Sequence, residues 1–304
     1  VLPSSDPRST IHPDHLVETC GKCHPGANEN FAQGKIHTNG ASAAGGDISE
    51  LANFWARRIY LVLIFGTIGF MLLHNGLAFG KKLAALRRSQ PRELVRMNRS
   101  QRIQHLTLVV SFIILAVTGF ALRYPDSWLA WILGGHENFR RWSHRLAGVV
   151  MLVAGAYHVG YILFTKDGRQ LVKDFLPVKK DISDFFANLG YLFGLKPAKA
   201  RFARFGYPEK MEYWAVVWGT IIMGVTGLMI WLKMDVTQWL PRWVVDLATT
   251  IHYYEAILAC LAIIVWHFYH VMFDPEVYPL NWAWWDGKVS QHWAQEEHPL
   301  DPAN

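Results

Sequence analysis

Residues 17–26 read V-E-T-C-G-K-C-H-P-G. Two thiols separated by two residues, with an imidazole directly after, can add to the vinyl groups of a haem while the histidine takes one axial position on iron. That assigns Cys20, Cys23 and His24 to a covalent c-type haem. A zinc site is the plainer reading of a cysteine pair, but the sequence has no second pair to complete one. The third cysteine, Cys260, lies alone in an apolar run and reads as packing, so no disulfide framework is implied. His37 in "GKIH" is the first choice for the second axial ligand, because the flexible "PGANENFAQ" lets it fold back over the iron. His12 and His15 are the alternatives.

Seven further histidines fall in or at the ends of apolar stretches: His74, His105, His144, His158, His252, His267 and His270. Ionisable side chains are costly in a membrane and are functional by default there. A b-type haem held between helices takes one imidazole from each side at a common depth.

The elements that must position these groups are membrane spans. The 304 residues are 51% hydrophobic and 18% charged, with 14 Trp, a composition of a polytopic membrane protein rather than of two soluble domains. Five segments, 59–79, 104–122, 145–164, 213–232 and 251–273, are near the roughly 20 residues that cross a bilayer core. The fold class is all-α membrane protein: five transmembrane helices, four of them a haem-binding bundle, after a small loop-rich haem c segment. The expected boundaries are 1–53 for that segment, 54–80 for the first span, 81–103 for a basic loop, 104–273 for the four-helix part and 274–304 for a tail. No initiator Met or leader-like stretch precedes Val1, which reads as a processed or truncated chain.

Lys and Arg set the orientation. Residues 80–104 carry eight basic side chains against Glu93, and 166–212 carry ten, whereas 123–143 and 233–250 hold few. Positive-inside puts 80–104, 166–212 and the C-terminus in the cytoplasm of a bacterial inner membrane, with the N-terminus periplasmic. Covalent haem is assembled on that outer face, so two unrelated signals agree. The net charge of +6 then follows from membrane orientation, not nucleic-acid binding.

Depth pairs the histidines. His144 and His252 open the third and fifth spans at the outer face and can share one haem. His105 opens the second span at the inner face. Its partner is either His267, about 22 Å along the helix from His252, or His270, about 27 Å along and closer to His252's helical face; spacing leaves both open. His158 and His74 also fall in the inner half, where a third b haem, a propionate hydrogen bond or a quinone pocket would use them.

The blocks "NRSQRIQHLTLVVSFIILAVTGFALRYP", "RRWSHRLAGVVMLVAGAYH", "EKMEYWAVVWGTIIMGVTGLMIW" and "IHYYEAILACLAIIVWHFYHVMF", with the later "GKV", resemble the diheme cytochrome b subunits of the formate dehydrogenase gamma, thiosulfate reductase and nickel-iron hydrogenase group. The resemblance covers roughly residues 99–300. It implies an outer haem on His144 and His252 and an inner one on His105 and His267, favouring His267 over His270. Family members commonly space the last pair 14 apart; here it is 15. The first span and haem c head are additions, and multihaem cytochrome b/c fusions are more similar in this respect.

One haem c and two b haems, with a third b haem as the alternative, make a wire across the bilayer. The resemblance implies quinone, menaquinone or ubiquinone, beside the inner haem, with Tyr207, Glu209, Lys210, Glu212, Tyr269 and His270 as pocket candidates. The plainer reading is that Glu209, Lys210 and Glu212 solvate a helix start. Arg102, Arg140, Arg141 and Arg145 flank ligand histidines and suit haem propionates, or else anchor at the interface. The expected partner is a periplasmic iron-sulfur, molybdenum or nickel-iron enzyme, or a multihaem cytochrome, where substrate chemistry resides. A haem-bearing sensor or transporter is the competing class. Against it, the spans show no internal repeat or broken-helix pair of the transporter kind.

Overall fold

The computed structural model describes residues 6–32, 48–83 and 92–302. His37 lies outside them. The chain forms two compact units, Val1–Phe65 with Ile221–Leu258, and Gly66–Thr220 with Ala259–Asn304.

The helices are α1 (Leu16–Gly21), α2 (Glu29–Ala32), α3 (Ile48–Leu83), α4 (Arg99–Arg123), α5 (Trp128–Ile132), α6 (Glu137–Phe164), α7 (Lys166–Phe175), α8 (Lys179–Leu192), α9 (Tyr207–Trp231), α10 (Lys233–Val236), α11 (Arg242–Ala262), α12 (Ala283–Asp286) and α13 (Gln291–Glu297). Five are long and apolar enough to span a membrane: α3, α4, α6, α9, and α11 extended to Phe273. They outrun the apolar windows, because α3 begins within the expected head segment, α4 starts five residues before His105's window, and α9 already includes Tyr207. Caps explain such starts. Asn98 accepts from the Gln101 amide while Gln101 returns the bond, a reciprocal N-terminal box that starts α4 ahead of its apolar run. Exposed Val62, Phe65, Ile113, Val153 and Val225 are what a helix surface meeting lipid requires.

Beyond Ala262 the fifth span changes its winding. Two π turns, Ile263–His267 and Tyr269–Phe273, carry it to its end. The Asn75 amide of α3 donates to the Val265 carbonyl at 2.7 Å, satisfying one acceptor inside the first of them.

The connections are built, not loose. Residues 166–192 form α7 and α8, and the tail returns to the segment before α4: β1 (Arg92–Val95) pairs antiparallel with β2 (Lys288–Ser290). Ala283, Val289 and Ala294 bury a small core there, with Leu94 and Trp293 against it. Gly287 of "GKV" has φ +83°, and a Cβ there would stand 2.4 Å from the Met97 carbonyl oxygen, so only glycine fits. Further on, Lys82 binds Asp274 at 2.5 Å and Glu297 at 2.7 Å.

In the other unit the head is hydrogen-bonded to the connection after α10. Asn28 and Asn30 both donate to the Thr237 carbonyl, at 2.9 and 3.2 Å.

Candidate functional site

His105 of α4 and His267 of the fifth span face each other with ring centres 6.3 Å apart. A metal–imidazole bond is about 2 Å and a ring nitrogen sits about 1 Å from the ring centre, so two imidazoles across one iron put their centres about 6 Å apart. The observed separation would suit two imidazoles holding one iron. Glu212 Oε2 lies 3.1 Å from His267 Nδ1 and accepts its proton, which leaves Nε2 free for a metal. The Nδ1 of His105 is buried without a partner.

His144 sits in α6 with its Nδ1 3.0 Å from the Thr118 hydroxyl. Thr118 itself donates to the Ile114 carbonyl at 2.5 Å, so its oxygen is left to accept from Nδ1–H. A Cβ on Gly119 would be 3.1 Å from His144 Cε1, so the glycine makes room for the ring. In the other unit His252 has the same setting: Thr226 at 2.9 Å from Nδ1, donating to Ile222 at 2.7 Å, and Gly227 with a would-be Cβ 3.3 Å from Cε1.

These two settings belong to an internal repeat of local pattern, distinct from the transporter kind. Gln104, His105, Thr118, Gly119 and His144 recur 108 positions on as Glu212, Tyr213, Thr226, Gly227 and His252. His158 recurs as His267 at 109, the π turn taking up the added residue. The bonds recur too, since His158 Nδ1 is 2.7 Å from Gln104 Oε1 as His267 is bound to Glu212. Where His267 faces His105, His158 presents its Nε2 to the Tyr213 hydroxyl at 3.1 Å. Of these positions only Gln104/Glu212 and His105/Tyr213 differ in identity, and few others match, which hid the repeat in the sequence.

Residues 96–280 match the family described as prokaryotic cytochrome b561. The chain belongs to that family. It is a b-type cytochrome of the membrane, and its work is electron transport. This cytochrome is 27% identical over 221 residues, 69% of its own length and 91% of the relative's, to the cytochrome b556(Fdn) subunit of the nitrate-inducible formate dehydrogenase of Escherichia coli. It is 25% identical over 212 residues, 69% of its length and 83% of the relative's, to the formate dehydrogenase cytochrome b556 subunit of Haemophilus influenzae.

The residues present fit a b haem. Besides the imidazoles, Arg140, 3% exposed, has Nε and Nη1 buried without hydrogen bonds, a cation prepared for an anionic group such as a propionate. Arg102 keeps an unbonded Nε while its Nη1 donates to the Trp285 carbonyl at 2.6 Å. Arg141 is instead paired with Glu137, and Arg145 lies over Trp142 at 5.5 Å. Among the described residues no group of three or more His, Cys, Asp or Glu gathers as a metal site; a haem iron needs only two protein ligands.

His74 and His158 are committed to the protein through both ring nitrogens. Asn188 donates to the Tyr207 hydroxyl at 3.0 Å, Tyr207 donates to His74 Nε2 at 2.7 Å, and His74 Nδ1 donates to Asn75 at 3.2 Å. Neither ring offers a free nitrogen to a third haem. His270 binds the Trp266 carbonyl through Nδ1 at 2.9 Å, and the ring nearest across from it is His74, at 6.5 Å.

The pocket candidates separate. Lys210 bonds Asp181 twice at 2.9 Å and the Leu176 carbonyl at 3.1 Å, and Glu209 accepts from the Gly206 amide and lies 3.2 Å from His298 Nε2. Both tie down connecting segments, a role neither sequence reading anticipated. Glu212 serves His267, and Tyr207 serves His74. Tyr269, 6% exposed, buries its hydroxyl without a partner.

In the head, the helical turn of α1 leads through Cys20 and Cys23, both free, into His24, whose amide donates to the Cys20 carbonyl at 2.8 Å. His15 Nε2 is bonded to the Pro7 carbonyl at 3.0 Å and His12 lies 3.3 Å from Asp14. Sequence reasoning missed Arg242. Its guanidinium lies over Phe31 at 4.5 Å, Phe31 touches His24 with ring centres 5.1 Å apart, and its Nε and Nη1 are buried without hydrogen bonds. Its Nε also lies 3.6 Å from Asp246, and the signal available was one of only two basic residues, Lys233 and Arg242, in the connection 233–250.

Proposed function

We propose that the chain is the membrane subunit of a respiratory complex, passing electrons between the quinone pool and a periplasmic redox subunit. Bound haem supplies reversible one-electron transfer. The chain's own residues hold it: His105 and His267 for an inner b haem, His144 and His252 for an outer one, and Cys20, Cys23 and His24 for haem c, with His37 as its second ligand. The observation that carries the reading is the His105–His267 separation of 6.3 Å with Glu212 on the back of His267. Arg242 beside Phe31 and His24 supports a propionate-bearing group in the head.

Quinone chemistry is assigned to the end of the spans that carries the basic connections. Tyr269 supports it, together with the Tyr207–His74–Asn75 chain and a cavity of about 380 Å³ lined by Leu72, Asn75, Phe79, Val265, Tyr269 and Phe273. Here side-chain hydroxyl and imidazole groups exchange the protons that accompany two-electron reduction or oxidation. The relatives named as formate dehydrogenase subunits support an oxidoreductase complex as partner, and its periplasmic side is our proposal. The Lys and Arg distribution supports placing the chain in a bacterial inner membrane with the N-terminus periplasmic.

A reduced-minus-oxidised spectrum tests the cofactors: b-type bands beside a c-type band are expected, and absence of the c-type band removes the outer terminal. His144→Ala and His252→Ala are each expected to remove the same b haem and spare the other. Menaquinol or ubiquinol reducing the haems of the purified complex, blocked by Tyr269→Phe or His74→Ala, tests the quinone assignment.

A further inference from the structure

One face of α3 walls the cavity in front of Tyr269. Leu72, Asn75, Gly76 and Phe79 line it at helical spacing, and Lys82 continues that face one turn further on. On the fifth span Phe273 ends the lining and Asp274 follows. The apolar cavity thus gives way at one end to charge. Lys82 Nζ bonds Asp274 at 2.5 Å and Glu297 at 2.7 Å, and lies 3.8 Å from Glu276. Lys199 reaches Glu297 at 3.2 Å, and the Glu276 amide donates to Asp274 at 3.0 Å.

Three carboxylates therefore meet two ammonium groups. The side chains of Asp274, Glu297 and Glu276 are only 6%, 17% and 24% exposed, so the surplus negative charge lies largely out of water and is relieved by a bound proton. Glu276 is where that proton rests. Burial, and then Glu297, push its carboxyl up to about 7, and it donates to Glu297, which the two lysines hold ionised. Between this pair and the cavity stands Tyr269, 6% exposed, its hydroxyl buried without a hydrogen bond. The charges acting on that hydroxyl are Asp274, Lys82, Glu297 and Glu276. A buried hydroxyl is costly unless something meets it, and the cavity is where a partner can enter.

We infer that Glu276, sharing its proton with Glu297, is the group that exchanges protons between water and the cavity, with Tyr269 as the inner end of the route and Lys82 as the residue that positions the carboxylates. This rests on the reading of that cavity as the quinone site. Quinol oxidation releases two electrons, which pass to the b haems, and two protons. One proton passes to the Tyr269 oxygen as the phenol gives its own outward, so the phenol stays neutral. The ionised Glu276 carboxylate takes it and releases it to water. The other proton falls to the Tyr207–His74–Asn75 chain. Quinone reduction runs the same route inward.

The test uses the complex purified from native membranes, with haem bands recorded first and ubiquinol-1 or menaquinol-4 as the electron donor. Glu276→Gln is expected to slow haem reduction by quinol about ten-fold or more at pH 8 and hardly at all at pH 5.5, where the carboxyl already carries its proton. Reduction by dithionite stays unchanged at both, and Glu276→Asp restores most of the quinol rate. An equal loss at both pH values, or no loss at pH 8, would overturn the inference. Lys199→Met leaves Glu276 in place and removes one ammonium, so it is expected to move the pH at which the quinol rate levels upward. An unmoved profile overturns the inference even where Glu276→Gln loses its haems. Failure of quinol to reduce the haems of the unsubstituted complex would instead strike the proposed function, so the two failures are distinguishable.

Discussion

At the scale of single residues, one threonine and one glycine set the ring of His144, and another such pair sets His252. Threonine alone does two tasks here: its hydroxyl closes onto the carbonyl one turn back and its oxygen takes the imidazole Nδ1–H, which holds the tautomer with Nε2 free. Valine keeps the shape and loses the acceptor. Thr118→Val is expected to raise the midpoint potential of one b haem, since the imidazole becomes a poorer donor to iron, and to weaken haem retention about 10–100-fold; a redox titration showing both b haems unmoved would refute it. Gly119→Ala acts by bulk, and pyridine haemochrome assay is expected to find one b haem lost. The histidines were legible in the sequence because ionisable groups in apolar runs stand out. The threonines and glycines were visible as "TGF" and "TGL" without a role, because which imidazole meets them depends on packing between helices 26 residues apart in the chain.

At the scale of elements, the fifth span shows how a helix absorbs one residue too many. A π turn holds about one residue more than an α turn, so the 15-residue step from His252 to His267 winds as 14 would in an uninterrupted helix. This leaves His267 facing His105 and His270 bonded to its own helix backbone. Deleting Ile264 is expected to retain both b haems by relaxing the turn to α-helix, whereas inserting an alanine beside it costs the inner one; haem content of the two variants decides. Spacing by itself could not choose between His267 and His270, because the π winding between His252 and His267 is not written in the spacing, and the Val265 carbonyl inside it is met by Asn75 of another helix. Nor were β1, β2 and α13 legible, being short elements whose pairing is long-range.

For the whole molecule, five spans and the uneven Lys and Arg content were plain in composition, but the duplicated pattern was not. Identity is kept at few positions, while the hydrogen bonds of Gln104 with His158 and of Glu212 with His267 recur. Changing Glu212→Gln installs the first repeat's own residue, so the fold is expected to hold while the inner haem's potential rises. The tail, too, is a property of the whole chain, since it closes on α3 through charge. Burial, and then the neighbouring Glu297, push Glu276 up to about 7 from its ordinary 4.5. Burial acts to raise Glu297 as well, but Lys82 and Lys199 outweigh it and hold that carboxyl well below its usual range. Glu297 therefore stabilises the docked tail above pH 4.5 and loses that contribution as pH falls below it. Glu276 has the opposite sign: the folded state binds its proton more tightly than the unfolded chain, so stability declines as pH rises from 4.5 through 7. Glu276→Gln carries no proton to lose. It is expected to stabilise the protein by on the order of 1 kcal/mol at pH 8 and by little at pH 5, read as thermal unfolding in detergent; an equal difference at both pH values would show that Glu276 is not buried against Glu297 in the working protein.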